Sequence, residues 1–333
     1  MTRFSANFWP GRAFGRHQGG TLRDRAVTAR TMQRYSKILI LFTAFCTLNS
    51  VSISMYDLVA ADLHAEAFLN NLYSIGAPRS YGTLFLSALA HRYPRLRREL
   101  GTAWRAYKGW EREEPPKRAP PLPRSLFVLL TGELFFASHF RSAALCGLLF
   151  HCFLRPAEGL NLRRADISIS SDHAVLRLRH TKSGQRRLQE EFVTVEDLWV
   201  LFLLRLALRD MGDHPDALLS PWNYSELRAF MRNAVARHDL LSLGLVPYSF
   251  RRGGASWEFR QTRNFDRVMH RGRWQSLAAA KVYLTDAQAA AVSLTLPSHI
   301  RDLSNRVEDG LVDVFSQFSG VEPVGASLLL NGL

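Results

Sequence analysis

What the chain lacks narrows the choices first. It has three cysteines in 333 residues, Cys46, Cys146 and Cys152, with neither CxxC spacing nor an even-numbered set. That excludes a disulfide framework and suggests no zinc site. Cysteines inside apolar runs read as buried, reduced thiols of an intracellular protein. Acidic residues are scarce, 29 against 43 Lys and Arg, and none cluster at metal-ligand spacing. His151, His173 and His180 show no such spacing either. The sequence therefore asks for no metal and no cofactor. A secretory leader is not expected, because Arg3, Arg12, Arg16, Arg23 and Arg25 interrupt the N-terminal stretch and no apolar core follows. Residues 38–56 carry no charge, but Thr43, Thr47, Asn49, Ser50, Ser52 and Ser54 dilute them. They read as a buried helix followed by a loop, not as a membrane span. No internal repeat is found.

What is present is positive charge. A formal net charge of +14 favours a polyanionic partner, and nucleic acid is the commonest one. A ribosome-associated or basic membrane-surface protein is the plainer alternative. With 47% hydrophobic and 22% charged residues the chain is an ordinary globular protein, long enough for two domains.

Residues 1–26, rich in Gly and Arg and without a period, read as a flexible basic arm. Residues 27–112 read as an all-helical domain. Tyr35, Ile38, Leu39, Phe42 and Phe45 mark its first helix, and Leu63, Phe68 and Leu72 its second, which begins near Asp57 and stops at Gly76 and Pro78. Tyr81, Leu84, Phe85 and Leu89 mark a third, ending near Pro94. A fourth over residues 95–108 carries Arg95, Arg97, Arg98 and Arg105 on a basic face. Residues 113–124 form a linker, because five prolines in eleven residues permit neither helix nor central strand. The second domain, 125–300, opens with apolar helices at 126–136 and 142–153. Alternation at 167–171, 174–180 and 188–195 predicts three antiparallel strands with turns at 171–173 and 183–184. Helices are expected at 195–209, 225–237, 253–259 and 287–294, and 301–333 is a tail whose last residues have little pattern. The fold class is mainly α with a small three-stranded antiparallel sheet.

Three segments carry chemistry. In the first, an apolar helix delivers Arg155, with Glu158 three residues on, where a carboxylate on the same helical face holds the guanidinium. Alone, such an arginine reads as an ordinary surface residue. The second is the tip of the strand hairpin, where Lys182, Arg186 and Arg187 either reach into a groove or form a solvated turn. In the third, Pro247 starts a helix presenting Tyr248 and Arg251 one turn apart, followed by Arg252, Gly253 and Gly254. Trp274 comes later, and Tyr283 nine positions after it. Taken singly, Trp274 reads as a core indole and Tyr283 as one of nine half-buried tyrosines.

An arginine, a hairpin lysine, a [His/Tyr]-x-x-Arg motif, a His-or-Trp position and a following tyrosine, in that order, resemble the phage-integrase or tyrosine-recombinase family. The resemblance covers the second domain, and the helical domain before it is similar to the family's SAM-like core-binding domain. Residues 247–256 and 272–284 resemble branches carried by eukaryotic mobile elements, DIRS-like and Crypton-like. The resemblance implies that Arg155 and Arg251 are the two catalytic arginines, Lys182 the general acid and Tyr283 the nucleophile. It places Tyr248 at the usual histidine position, Trp274 at the His-or-Trp position, and Glu158 as support for Arg155. Arg95, Arg97, Arg98, Arg105, Arg186, Arg187 and Arg252 are the expected DNA contacts. It also implies a clamp on double-stranded DNA, a homotetramer that exchanges C-terminal segments (286–294 or the tail here), and no ATP. Localisation would be intracellular and DNA-associated, in the nucleus if the host is eukaryotic.

The chemistry agrees. Charge grows on the equatorial oxygens of a phosphodiester in the transition state, and guanidinium forks hold those oxygens bidentately. A phenol with pKa about 10 must lose its proton as it attacks, which nearby cations ease. Tyr248 departs from the family's pattern, since a phenol is a poor base near neutral pH but still donates a hydrogen bond. A DNA-binding relic without catalysis and a type IB topoisomerase are the alternatives.

Overall fold

The structure is a computed structural model that describes residues 26–51, 57–116, 118–179, 190–284 and 286–319. Lys182, Arg186 and Arg187 lie outside the described residues, as do residues 1–25 and 320–333. The chain divides into two compact units between residues 117 and 118, inside the proline-rich segment.

The first unit is helical. Helix α1 (Ala29–Leu48) starts where the Thr28 hydroxyl accepts from the Thr31 N–H, and α2 (Leu58–Ser74) where the Asp57 carboxylate accepts from Ala60. Helix α3 (Ser80–Arg92) follows. Ile38, Phe42 and Cys46 of α1 meet Phe68 of α2 and Phe85 of α3, with the Phe68 and Phe85 rings edge-on at 4.7 Å. The fourth helix expected at 95–108 is two pieces. Pro94 opens a 3-10 turn (Pro94–Arg98), and α4 (Gly101–Glu113) begins afresh. The break arises because Asp62, a buried carboxylate on α2, accepts from the Thr102 and Ala103 N–H groups at 2.8 and 2.9 Å. It caps α4 from 40 residues away, a partner that periodicity within the segment does not show. Arg95, Arg97 and Arg98 fall on the 3-10 turn and Arg105 on α4, all exposed.

The second unit is built around α6 (Phe140–His151), every residue of which from Ser142 onward is buried. Helix α5 (Arg124–Phe136) packs on one side of it. A short α7 (Pro156–Leu160) leads to the strands β1 (Ile167–Ile169), β2 (Ala174–Leu178) and β3 (Glu191–Val195). The strands pair antiparallel in the order β1-β2-β3, with Leu176 opposite both Ile167 and Val193 on the buried face. Then come α8 (Leu198–Met211), α9 (Tyr224–Ala236), α10 (Tyr248–Thr262), α11 (Phe265–Gly272), α12 (Leu277–Lys281), α13 (Asp286–Thr295) and α14 (Ser298–Ser319). The expected class is observed: mainly helical, with one small antiparallel sheet.

Two expected boundaries move. The boundary at 300 falls inside α14, whose Leu311, Val312 and Phe315 join the core against Trp199 and Phe202. Two hydrogen bonds from Arg124 to Glu308, at 2.9 and 2.6 Å, fasten the same helix to α5. Residues 301–319 are therefore part of the second unit, not a tail. The proline-rich segment is a spacer only in part, since Leu122 is buried and donates its N–H to the Ser249 carbonyl at 3.0 Å. Among the described residues no helix is long and apolar enough to cross a membrane.

Helix α10 reaches this segment and α6 through two glycines. A Cβ at Gly253 would overlap the Leu122 backbone, and one at Gly254 the Phe150 carbonyl oxygen. The glycine pair thus serves close backbone approach. Gly254→Ala is expected to destabilise the second unit by about 3 kcal/mol or more, read by urea unfolding. Gly109→Ala, where a Cβ meets nothing within 4 Å, is expected to stabilise α4 by about 0.5–1 kcal/mol. Equal effects at the two positions would contradict the packing described.

Candidate active site

Pro156 sets the first feature. A residue before proline is held extended, and Arg155 has φ −69° and ψ 146°, so it flanks α7 rather than joining it. Glu158, at the third helical position, accepts from the Arg155 backbone N–H at 2.7 Å and from its Nη1 at 2.6 Å. The expected pair forms, but as a cap with a side-chain clasp rather than on a shared helical face.

Arg251 lies one turn into α10 and is fully buried. Its Nη1 donates to the Phe153 carbonyl and its Nη2 to the Gly272 carbonyl, the latter at 2.7 Å. The guanidinium carbon stands 5.0 Å from the Trp274 ring centre and 5.2 Å from that of Tyr283. Those two rings are 4.8 Å apart. Trp274 is turned back over the end of α11, and a Cβ at Gly272 would overlap its indole, so only glycine fits there. The Trp274 Nε1 is buried with no hydrogen-bond partner among the described residues. Tyr283 follows α12 and is half-buried; its carbonyl accepts from the Ser256 hydroxyl of α10 at 3.2 Å. Tyr248, at the start of α10, is partly exposed. Burial raises its phenol above the ordinary value, Tyr283 adds to this and Arg155 opposes it.

The structure thus brings Arg155, Glu158, Tyr248, Arg251, Trp274 and Tyr283 together from four separate stretches of chain. It does not surface Arg252, an expected DNA contact: that residue is 4% exposed, and burial with Arg118 nearby lowers its pKa. One site residue escaped the sequence reading. Arg273 donates from Nη2 to Glu158 Oε2 at 2.7 Å, and its Nη1 is 3.6 Å from Glu191 at the start of β3. The only signal was a second cation beside Trp274, because the end of α11 that aims it inward was not anticipated.

The charges are interdependent. Burial would raise the Glu158 pKa, but Arg273 and then Arg155 outweigh it and hold the carboxyl below its ordinary value. Burial, Arg273 and Arg155 together lower Arg251, which still remains a cation at neutral pH. Burial also opposes the Arg155 charge, but Glu158 reverses this and raises it. The result is a clustered cationic site beside two phenols, suited to one phosphate.

No protein-family model and no curated protein matches the chain. Solved structures do. The Tn1549 transposon integrase in complex with transposon right end DNA is 12% identical, with a TM-score of 0.57 over 82% of this chain and 96% of that one. The XerH site-specific recombinase bound to palindromic difH substrate, a post-cleavage complex, is 14% identical, with a TM-score of 0.56 over 81% of each chain. The Tn1549 integrase with circular intermediate DNA is 13% identical, with a TM-score of 0.50 over 80% and 94%. The shared property is the tyrosine-recombinase fold.

Removing the carboxylate at the centre tests the electrostatics. Glu158→Gln leaves two guanidinium groups without their counter-charge and is expected to cost about 3–5 kcal/mol. Because the folded pKa of Glu158 is depressed, its contribution is complete above the unfolded value, roughly pH 4.3, and fades as pH falls through the folded one. The variant should therefore lose stability at pH 7 and show a shallower further loss on acidification. Parallel wild-type and variant curves would refute this role.

Proposed function

We propose that this chain is a site-specific DNA recombinase or integrase that breaks and rejoins duplex DNA through a 3′-phosphotyrosine on Tyr283. The convergence of Arg155 on Glu158, and of Trp274 and Tyr283 on Arg251 beside Tyr248, carries this reading. The fold shared with DNA-bound recombinases and the net charge of +14 support it.

In this reading the Arg155 guanidinium, held by Glu158 yet 19% exposed at its side chain, receives the scissile phosphate. Arg251 stands behind it, with both Nη groups engaged by backbone carbonyls and the Tyr283 and Trp274 rings against its face, and adds its positive charge to the phosphate site. Movement of Tyr283 toward the DNA delivers the nucleophile and uncovers part of the Arg251 face. The Tyr283 oxygen attacks phosphorus as its proton passes to water, and the P–O5′ bond breaks with the 5′-oxygen taking a proton from Lys182. The phosphoester energy is kept in the covalent link, so attack by another 5′-hydroxyl reseals the DNA without ATP. Tyr248 donates a hydrogen bond to a phosphate oxygen, its raised pKa keeping the phenol protonated. The acting assembly is a homotetramer on DNA.

The test uses nicked suicide duplexes tiled across the DNA that flanks the coding sequence. A covalent adduct is expected with wild type and none with Tyr283→Phe. Arg155→Ala should slow its formation on the order of 10²–10³-fold. An adduct surviving in Tyr283→Phe would falsify the nucleophile assignment. Duplex binding without an adduct on any site makes the chain a DNA-binding relic. Relaxation of supercoils by a monomer makes it a type IB topoisomerase.

A further inference from the structure

Arg273 has no part in the reaction just described, yet it stands where three of the reacting segments meet. It closes α11 with φ +55°, a left-handed conformation that glycine adopts freely and other residues adopt under strain. A residue needed only to end the helix would be better as glycine. Its side chain is instead 11% exposed and directed inward. Nη2 meets Glu158 Oε2 at 2.7 Å, the same oxygen that caps Arg155. Nη1 is 3.6 Å from Glu191, the first residue of β3. Its two neighbours in sequence also belong to the site. The Gly272 carbonyl accepts from Arg251, and the Trp274 ring covers Arg251.

We propose that Arg273 is a positioning residue of the phosphate site. It fixes Glu158 as a charged partner, so that Arg155 presents its guanidinium outward, and it ties that pair to the start of β3 at Glu191. The proposal rests on the reading of Tyr283 as nucleophile. With Arg155 as its only partner, Glu158 would cancel the charge meant for phosphate. With Arg273 as a second donor the same carboxylate orients Arg155, and the cluster keeps a net positive charge. Strain held at φ +55° fits a functional position whose side chain cannot be given up.

Arg273→Gly removes the guanidinium while suiting the backbone, so folding should survive. Adduct formation on a nicked duplex should fall about 10–100-fold at neutral pH, the loss typical of removing an outer partner that orients a working group. The acid limb of the rate profile should move to higher pH, because Glu158 without Arg273 takes up a proton more readily. Arg273→Lys should recover part of the rate. In the Tyr283→Phe background, where no cleavage intervenes, duplex affinity should fall less in Arg155→Ala/Arg273→Gly than the two single losses combined. Unchanged rate and acid limb with additive affinity losses would overturn the proposal. If wild type forms no adduct, the nucleophile reading fails, and the affinity cycle still decides whether Arg273 acts through Arg155.

Discussion

Three guanidinium groups share one interior here only because the Glu158 carboxylate stands among them. Each guanidinium loses hydration on burial and repels the others, and neither cost is recovered by packing. Glu158 answers both. Its two oxygens accept from the Arg155 side chain, the Arg155 backbone and Arg273, and its charge reaches Arg251. The carboxylate can do this because Pro156 fixes the turn that places it at the third position of α7. A local feature of five residues thus anchors contacts more than a hundred positions apart in the chain.

Arg251 adds a second constraint. It binds two backbone carbonyls, one where α6 has ended and one at the end of α11, and so joins those elements. Its flat face is covered by two aromatic rings. Close packing of that kind requires missing side chains elsewhere: Gly272 under the indole, Gly253 and Gly254 where α10 meets other backbone. The same arrangement ties the burial of Arg251 to the placement of Tyr283, because one of the covering rings is that phenol.

Much of the fold was legible along the chain. Apolar periods marked most of the longer helices, α14 excepted, and alternation marked all three strands, because those elements bury one face against a core. Capping residues such as Thr28, Asp57 and Asn223 behave as their chemistry predicts. The reading erred where a remote partner decides. Residues 95–108 looked like one helix until Asp62 capped a new start at 101. Helix α11 is short, with Val268 as its one buried apolar side chain, and ion pairs from Glu258 to Arg267 and Arg271 also hold it. Helix α14 carries a period at Ile300, Leu303, Val307 and Leu311, the sequence signal that residues 301–319 are helix and not tail.

The sequence by itself determined the order of the motifs, the break between two units and the mainly helical class with its small sheet. These depend on residue type and on spacing along a single element. Only the tertiary structure decided that Arg251 is sealed beneath two rings, that Arg252 is buried, and that Arg273 completes the carboxylate's partners. Each of those outcomes depends on charges and rings that are distant in sequence and meet only after the chain has packed. Spacing along the chain records nothing of such meetings, whereas burial and Coulomb interaction act through space.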